Sequence, residues 1–274
     1  MCARALAVLA VLAMPTGSSI ALSQGAAPRT LVVLAAHADD ETPVSPILAR
    51  YARDGVHVYL IIATDGGAGA GQQGHMPRPE TTVPGQDLVR QRAEEARCAT
   101  QALGIQPPIL LGFPDGKLGD YVGDRTLIYR ATQRIAEELA RLRPDAVITW
   151  GPDGGTGHPD HRIVSAIATQ LQRTGAPGVP ERLFYMNLPV EGMRAMNPPR
   201  PEPPLVVPQA RFFTVRVPFA PEDLDATKRS AACHRSQLTA EARERVGSAM
   251  AGAWNGAIPL IPAFQTSPGA DVFR

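Results

Sequence analysis

The sequence predicts an α/β protein of Rossmann-like type, a mostly parallel sheet with helices on both faces. Three features carry that expectation. Short apolar runs recur along the chain, amphipathic stretches with helical spacing lie between them, and clusters of histidine and aspartate follow two of the runs.

Residues Thr30 to Ala36 are apolar almost throughout and flanked by polar residues, the pattern of a strand buried on both faces. Comparable runs follow at Val56 to Ala63, Pro108 to Gly112 and Ala146 to Trp150. Helical stretches separate them at Pro43 to Asp54, Gln86 to Gly104 and Asp124 to Arg143. In the last, Leu127, Ile128, Ala131, Ile135, Leu139 and Leu142 share one face at spacings of three and four. Alternation of this kind forces right-handed crossovers and so covers a parallel sheet on both sides. Strand-like runs continue at Arg182 to Met186 and Arg211 to Val217, and a last helix is expected from Pro221 to Gln237. The Gly, Ala and Pro-rich tail beyond carries no assignment.

At 274 residues, with 27 Lys plus Arg against 26 Asp plus Glu and 44% hydrophobic residues, the composition is globular. Near-zero charge without a basic run excludes a nucleic-acid groove, which needs concentrated positive charge. Residues 1–23 resemble a signal peptide: Arg4 precedes an apolar stretch at Ala5 to Met14, too short to span a bilayer, and Ala21-Leu22-Ser23 offers a small-x-small cleavage site. An exported protein, periplasmic or extracellular and with no stable membrane insertion after cleavage, is therefore expected. Residues 24–274 then form a single domain. It carries a proline-rich excursion at about 189–208, since eleven of the 27 prolines fall between Pro177 and Pro221. Cys98 and Cys233 are too few for a disulfide framework; they are either buried thiols or one bridge.

The chemistry concentrates in two clusters. Ala36-His37-Ala38-Asp39-Asp40-Glu41 closes the first strand, where ligands gather in parallel α/β sheets. Taken alone, its three carboxylates would also suit an acidic helix start. Gly157-His158-Pro159-Asp160-His161 follows the strand ending at Trp150. Pro159 suits a first helical position, which puts His158 at the cap and His161 one turn inside. Two imidazoles and a carboxylate with an open position is the ligand set of a hydrolytic zinc site. His57, near the start of its strand, is read as structural, and His75, in the glycine-rich stretch from Gly66 to Gly85, as a solvated loop residue.

These motifs resemble those of the LmbE-like or PIG-L family of zinc-dependent N-deacetylases, whose usual first motif is Ala-His-Pro-Asp-Asp-Glu; here Ala38 replaces the proline. The similarity continues through Thr64-Asp65-Gly66, Arg92-x-x-Glu95, Pro114-Asp115-Gly116, Lys228 and His234-x-Ser236-Gln237. It implies hydrolysis of the acetamide of an N-acetylglucosamine-type conjugate, whether a small molecule or a glycan. It further implies that His37, Asp40 and His161 bind one Zn2+ per chain, that Asp39 is the general base, and that His158 stabilises the oxyanion. Fe2+ could occupy the same ligands. Arg92 and Asp115 stand where the family places substrate-side polar groups. For His234 and Gln237, on one side of the last helix, capping or packing is expected. A metal phosphoesterase and a non-catalytic carbohydrate-binding protein are the competing classes. The first needs a second set of carboxylate ligands, and the second has no use for Asp39.

Overall fold

A computed structural model of the protein describes residues 27–68, 85–120, 122–155, 157–187, 208–264 and 268–273. The expected leader at 1–23, His75 with most of its glycine-rich stretch, and all but the last residue of the 189–208 excursion lie outside these residues.

Among the described residues seven strands form one sheet: β1 (Thr30–Ala35), β2 (His57–Thr64), β3 (Ile109–Phe113), β4 (Ala146–Trp150), β5 (Leu183–Met186), β6 (Val215–Pro218) and β7 (Ala257–Pro262). Their spatial order is β3-β2-β1-β4-β5-β7-β6. The first five run parallel, while β7 pairs antiparallel with both β5 and β6. Helices α1 (Ser45–Arg53), α2 (Gln86–Leu103), α3 (Leu127–Leu142), α4 (Pro159–Arg173), α5 (Pro221–Cys233) and α6 (Ala240–Trp254) supply the connections and the outer layers.

The two-residue period of β1 divides the core. Leu31, Val33 and Ala35 face one cluster with Ile47 and Leu48 of α1, Ala96 of α2 and Ala231 of α5. Val32, Leu34 and Ala36 face the other, with Ile135 and Leu139 of α3 and Val164 and Ile167 of α4. A strand buried on both faces has no polar alternation, which is why these runs stand out in the sequence. Local signals end the helices: Gly104 closes α2 in a left-handed conformation at φ 71°, where a side chain is disfavoured. Among the described residues no helix is long and apolar enough to cross a membrane.

Two sequence expectations change. Residues Ala210–Phe212 form a 3-10 turn whose amides bond locally, so the strand expected from Arg211 begins only at Val215. The tail left unassigned supplies α6 and the internal strand β7 despite Pro259 and Pro262. Pro259 is tolerated because the amide of its partner Arg216 bonds to Gly269 on the other side, so this pair needs no proline donor. The tail then closes on α1: the Tyr51 hydroxyl donates to Asp271 at 3.1 Å and accepts from the Val272 amide at 3.2 Å.

Cys98 of α2 and Cys233, the last residue of α5, form a disulfide with Cα atoms 5.8 Å apart across a sequence separation of 135. Of the two expectations for these cysteines, the bridge is the one found. A crosslink over so long a loop is typically worth about 2–4 kcal/mol through the unfolded state. Non-reducing peptide mapping should recover the Cys98 and Cys233 peptides as one species, and mild thiol treatment should lower the unfolding free energy by that amount. Separate peptides under non-reducing conditions would contradict the bridge.

Candidate metal centre

Strands β2 and β3 lie to one side of β1, and β5 lies beyond β4, so the order of the parallel strands reverses between β1 and β4. The loops leaving their carboxyl ends diverge at that point and open a crevice. The turn after β1 brings His37, Asp39 and Asp40 there, and the loop after β4, with the first turn of α4, brings His158 and His161.

Asp40 is buried, and its Oδ2 accepts the amides of Ala36 at 2.8 Å and His37 at 2.9 Å. Its Oδ1 is left 3.0 Å from His161 Nε2 and 3.8 Å from His37 Nδ1, which themselves are 3.0 Å apart. His161 donates from Nδ1 to the Gly154 carbonyl at 2.9 Å, so in the neutral ring Nε2 is the unprotonated atom, facing Asp40. The Trp150 indole stacks on this imidazole at 4.5 Å and 4°.

A carboxylate oxygen and a ring lone pair repel at 3.0 Å unless a proton or cation lies between them. Metal bonds of 2.0–2.2 Å in a tetrahedron separate neighbouring donors by about 3.3–3.6 Å, a spacing that the 3.0, 3.0 and 3.8 Å sides of the His37 Nδ1, Asp40 Oδ1 and His161 Nε2 triangle bracket. The donor set therefore fits a divalent ion. The surrounding charge fits as well: burial lowers the proton affinity of His37, but contacts with Asp115, Asp160 and Asp40 outweigh it and hold the ring well above its ordinary range.

His37 Nε2 lies 3.1 Å from Asp115 Oδ1 and 3.5 Å from Asp160 Oδ2, a carboxylate backing that leaves Nδ1 for the triangle. His37, Asp115 and Asp160 are close enough to form a donor group of their own, as are His37, His158 and His161. Asp160, however, is committed: its oxygens accept the amides of Gly116 at 2.7 Å and Leu118 at 3.0 Å. The carboxylates behind His37 are thus a support for that ring rather than a second centre. The sequence had shown Asp160 only as a member of its motif.

The two neighbouring aspartates differ. Asp39 is partly exposed, and burial followed by the charge of Asp40 pushes its carboxyl up. Burial would also raise Asp40, but the His161 and His37 rings beside it hold it well below the carboxylate range. His158 is the N-cap of α4, as expected, and its Nδ1 accepts the Asp160 amide at 3.1 Å. Burial, then the charges of His37 and His161, push it down to about 4. With Nδ1 accepting from that amide, the proton of the neutral ring sits on Nε2.

Arg92 and Asp115 are brought to the same wall, but buried and engaged. Arg92 Nη1 donates to the Gly66 carbonyl at 2.7 Å and meets Asp115 Oδ2 at 3.4 Å. Burial opposes the Asp115 carboxylate, yet His37 and then Arg92 hold it below its ordinary value. Lys228 stands apart, paired with Asp225 on an exposed face. His234 is not a helix-face residue: α5 ends at Cys233, and His234 turns inward to Glu41 at 2.7 Å. Burial lowers its proton affinity, but the Glu41 charge and hydrogen bond raise it further.

The parallel part of this α/β sheet thus carries a two-histidine, one-carboxylate donor set at its switch point. Residues 32–172, half of the chain, match PIG-L, described as GlcNAc-PI de-N-acetylase, and the chain belongs to this family. It is 32% identical over 182 residues to 1D-myo-inositol 2-acetamido-2-deoxy-alpha-D-glucopyranoside deacetylase 2 of Catenulispora acidiphila, covering 60% of this chain and 58% of that one. With a deacetylase of the same type from Kineococcus radiotolerans the identity is 34% over 174 residues, covering 55% and 47%. The chain thus spans about half the length of the curated relatives it matches. N,N'-diacetylchitobiose deacetylase from Pyrococcus horikoshii shares the fold with a TM-score of 0.55 at 16% identity, over 88% of this chain and 84% of that one.

The glycines of the β4–α4 loop permit the stacked arrangement. Gly155 has φ 62°, and a Cβ there would lie 2.4 Å from the Trp150 ring. Gly155→Ala should cost about 1–3 kcal/mol through overpacking and a disfavoured backbone. Thermal unfolding checks this, and an unchanged Tm would contradict the close approach.

Proposed function

We propose that the protein is a metal-dependent N-deacetylase, with Zn2+ as the ion, that removes the acetyl group of an N-acetylglucosamine-type conjugate. The observation that carries this reading is the donor triangle of His37, Asp40 and His161 with a free carboxylate, Asp39, beside it. The family and the names of the relatives support the amide of an acetamido sugar as the bond cleaved.

A divalent ion held there would polarise the amide carbonyl and acidify a water, lowering its pKa from 15.7 to about 7. Asp39 takes the water's proton and returns it to the leaving amine. Its raised proton affinity suits that exchange better than the low one of Asp40. His158 keeps Nδ1 on the Asp160 amide and presents Nε2–H as a neutral donor to the carbonyl oxygen as charge develops. Asp115 orients His37, and Arg92 orients Asp115, so both shape the site from behind the ligands.

No observation favours a two-metal phosphoesterase, since Asp160 is occupied by backbone amides. A carbohydrate-binding protein would leave Asp39 without a task. We propose export as well, on the leader-like residues 1–23 and the Cys98–Cys233 bridge, since disulfides persist in oxidising compartments.

The test is mass spectrometry of Zn2+-loaded and Fe2+-loaded protein incubated with N-acetylglucosamine conjugates, including the inositol glycoside and diacetylchitobiose. Loss of acetyl groups is expected; intact substrates throughout the panel with metal bound would reject the reading. Asp39→Asn should retain metal and lose about 10²–10⁴-fold in kcat, since the amide cannot accept a proton. Asp40→Ala should instead lose metal. If the two phenotypes are exchanged, so are the roles.

A further inference from the structure

The proposed reaction makes no use of a second buried ionic pair, Glu41 with His234. Both residues are 0% exposed, and their elements are far apart in sequence. Glu41 follows Asp40 directly, in the turn that supplies two of the three donors. Its carbonyl accepts the Val44 amide and the Ser45 hydroxyl, tying the turn's main chain to the start of α1. Its carboxylate runs the other way, accepting from His234 Nε2 at 2.7 Å and from Ser230 at 3.3 Å.

His234 is fixed from several sides. It caps α5 with its amide on the Ala231 carbonyl, and it follows Cys233, bridged to Cys98 of α2. The side-chain amide group of Gln237 lies 3.3 Å from His234 Nδ1, on the side of the ring away from Glu41. Two residues on, Ser236 bonds Glu95 of α2 through its amide at 2.9 Å and its hydroxyl at 2.8 Å. A histidine anchored so firmly to α2 and α5 restrains the Glu41 side chain and, through one peptide unit, the placement of Asp40.

We infer that His234 is a positioning residue for the metal centre, acting through Glu41. This rests on the metal reading above and deepens it. Among the described residues neither side chain bonds to a member of the donor triangle, and although the His234 charge is felt at Asp39, the path to the donors is the backbone of the Asp40 turn. Loss of either partner leaves the other buried without its charge complement, and the turn relaxes to solvate or neutralise it.

The test uses Zn2+ alone, titrated against a chromophoric chelator, so that turnover is not needed. Supporting groups behind metal ligands typically contribute about 10–100-fold in affinity. His234→Ala and Glu41→Gln should each weaken Zn2+ binding within that range, and the double variant should bind no more weakly than the worse single one, because both act through one contact. Ile135→Ala, in the opposite core layer, should lower Tm while leaving Zn2+ affinity unchanged. If His234→Ala does not fold by circular dichroism, His234→Gln retains a donor and should show a smaller loss than Glu41→Gln. Wild-type affinity in the His234 and Glu41 variants, or losses that add in the double, would overturn the inference while leaving the proposed function intact. A wild-type protein that binds no Zn2+ would remove the metal reading and this inference together.

Discussion

Three electron-pair donors held within 3.0–3.8 Å of one another are the constraint on which the rest of this site depends. Such a cluster repels itself, and a protein that builds it must hold each member against that repulsion. Asp40 is held by two backbone amides, His161 by the Gly154 carbonyl and the Trp150 face, and His37 by the carboxylates behind it. Each restraint acts on the atom opposite the one that points inward. The geometry is therefore set before any ion arrives, which lowers the reorganisation that binding would otherwise require.

The strand order explains why the donors meet where they do. β1 and β4 are neighbours in the sheet, yet the chain leaves them toward opposite flanks. Their carboxyl-end turns are left facing an open crevice with no crossover between them. The amino terminus of α4 also points there, and Asp160 in its first turn meets that positive end while gathering the 116–118 backbone. One aspartate thus joins the β3 loop, the α4 terminus and the back of His37.

Much of this was legible because burial leaves a linear trace. β1, β2 and β4 have apolar residues on both faces, and the two histidine motifs sit directly after β1 and β4. What escaped depends on partners distant in the chain. β7 contains prolines that argue against an internal strand, and only the register with β6 shows that Pro259 needs no donor there. Arg92 and Asp115 look like groups available to a ligand until burial shows them bonded to each other. His234 looked like a helix-face residue because nothing local reveals that α5 stops one residue earlier. The inward turn has a signal only in the pairing with Glu41, nearly 200 positions away. The proton affinity of His158 is likewise a property of the assembled cluster, since burial and then its neighbours lower it.

The adjacent aspartates show how one turn separates two kinds of chemistry. Side chains on consecutive residues of a turn leave the backbone in different directions, so only one can meet both the Ala36 and His37 amides. Asp40 does so, and two amides on one oxygen stabilise the ionised form and fix the remaining oxygen toward the histidines. Asp39 is pushed the other way, by burial and then by the charge of its neighbour. A low proton affinity suits a ligand that must stay charged beside an ion; a raised one suits a base that must hold a proton and then release it. The same carboxylate placed one residue apart acquires opposite tendencies, and the histidines facing Asp40, at which the backbone amides of the β1 terminus aim it, decide which is which.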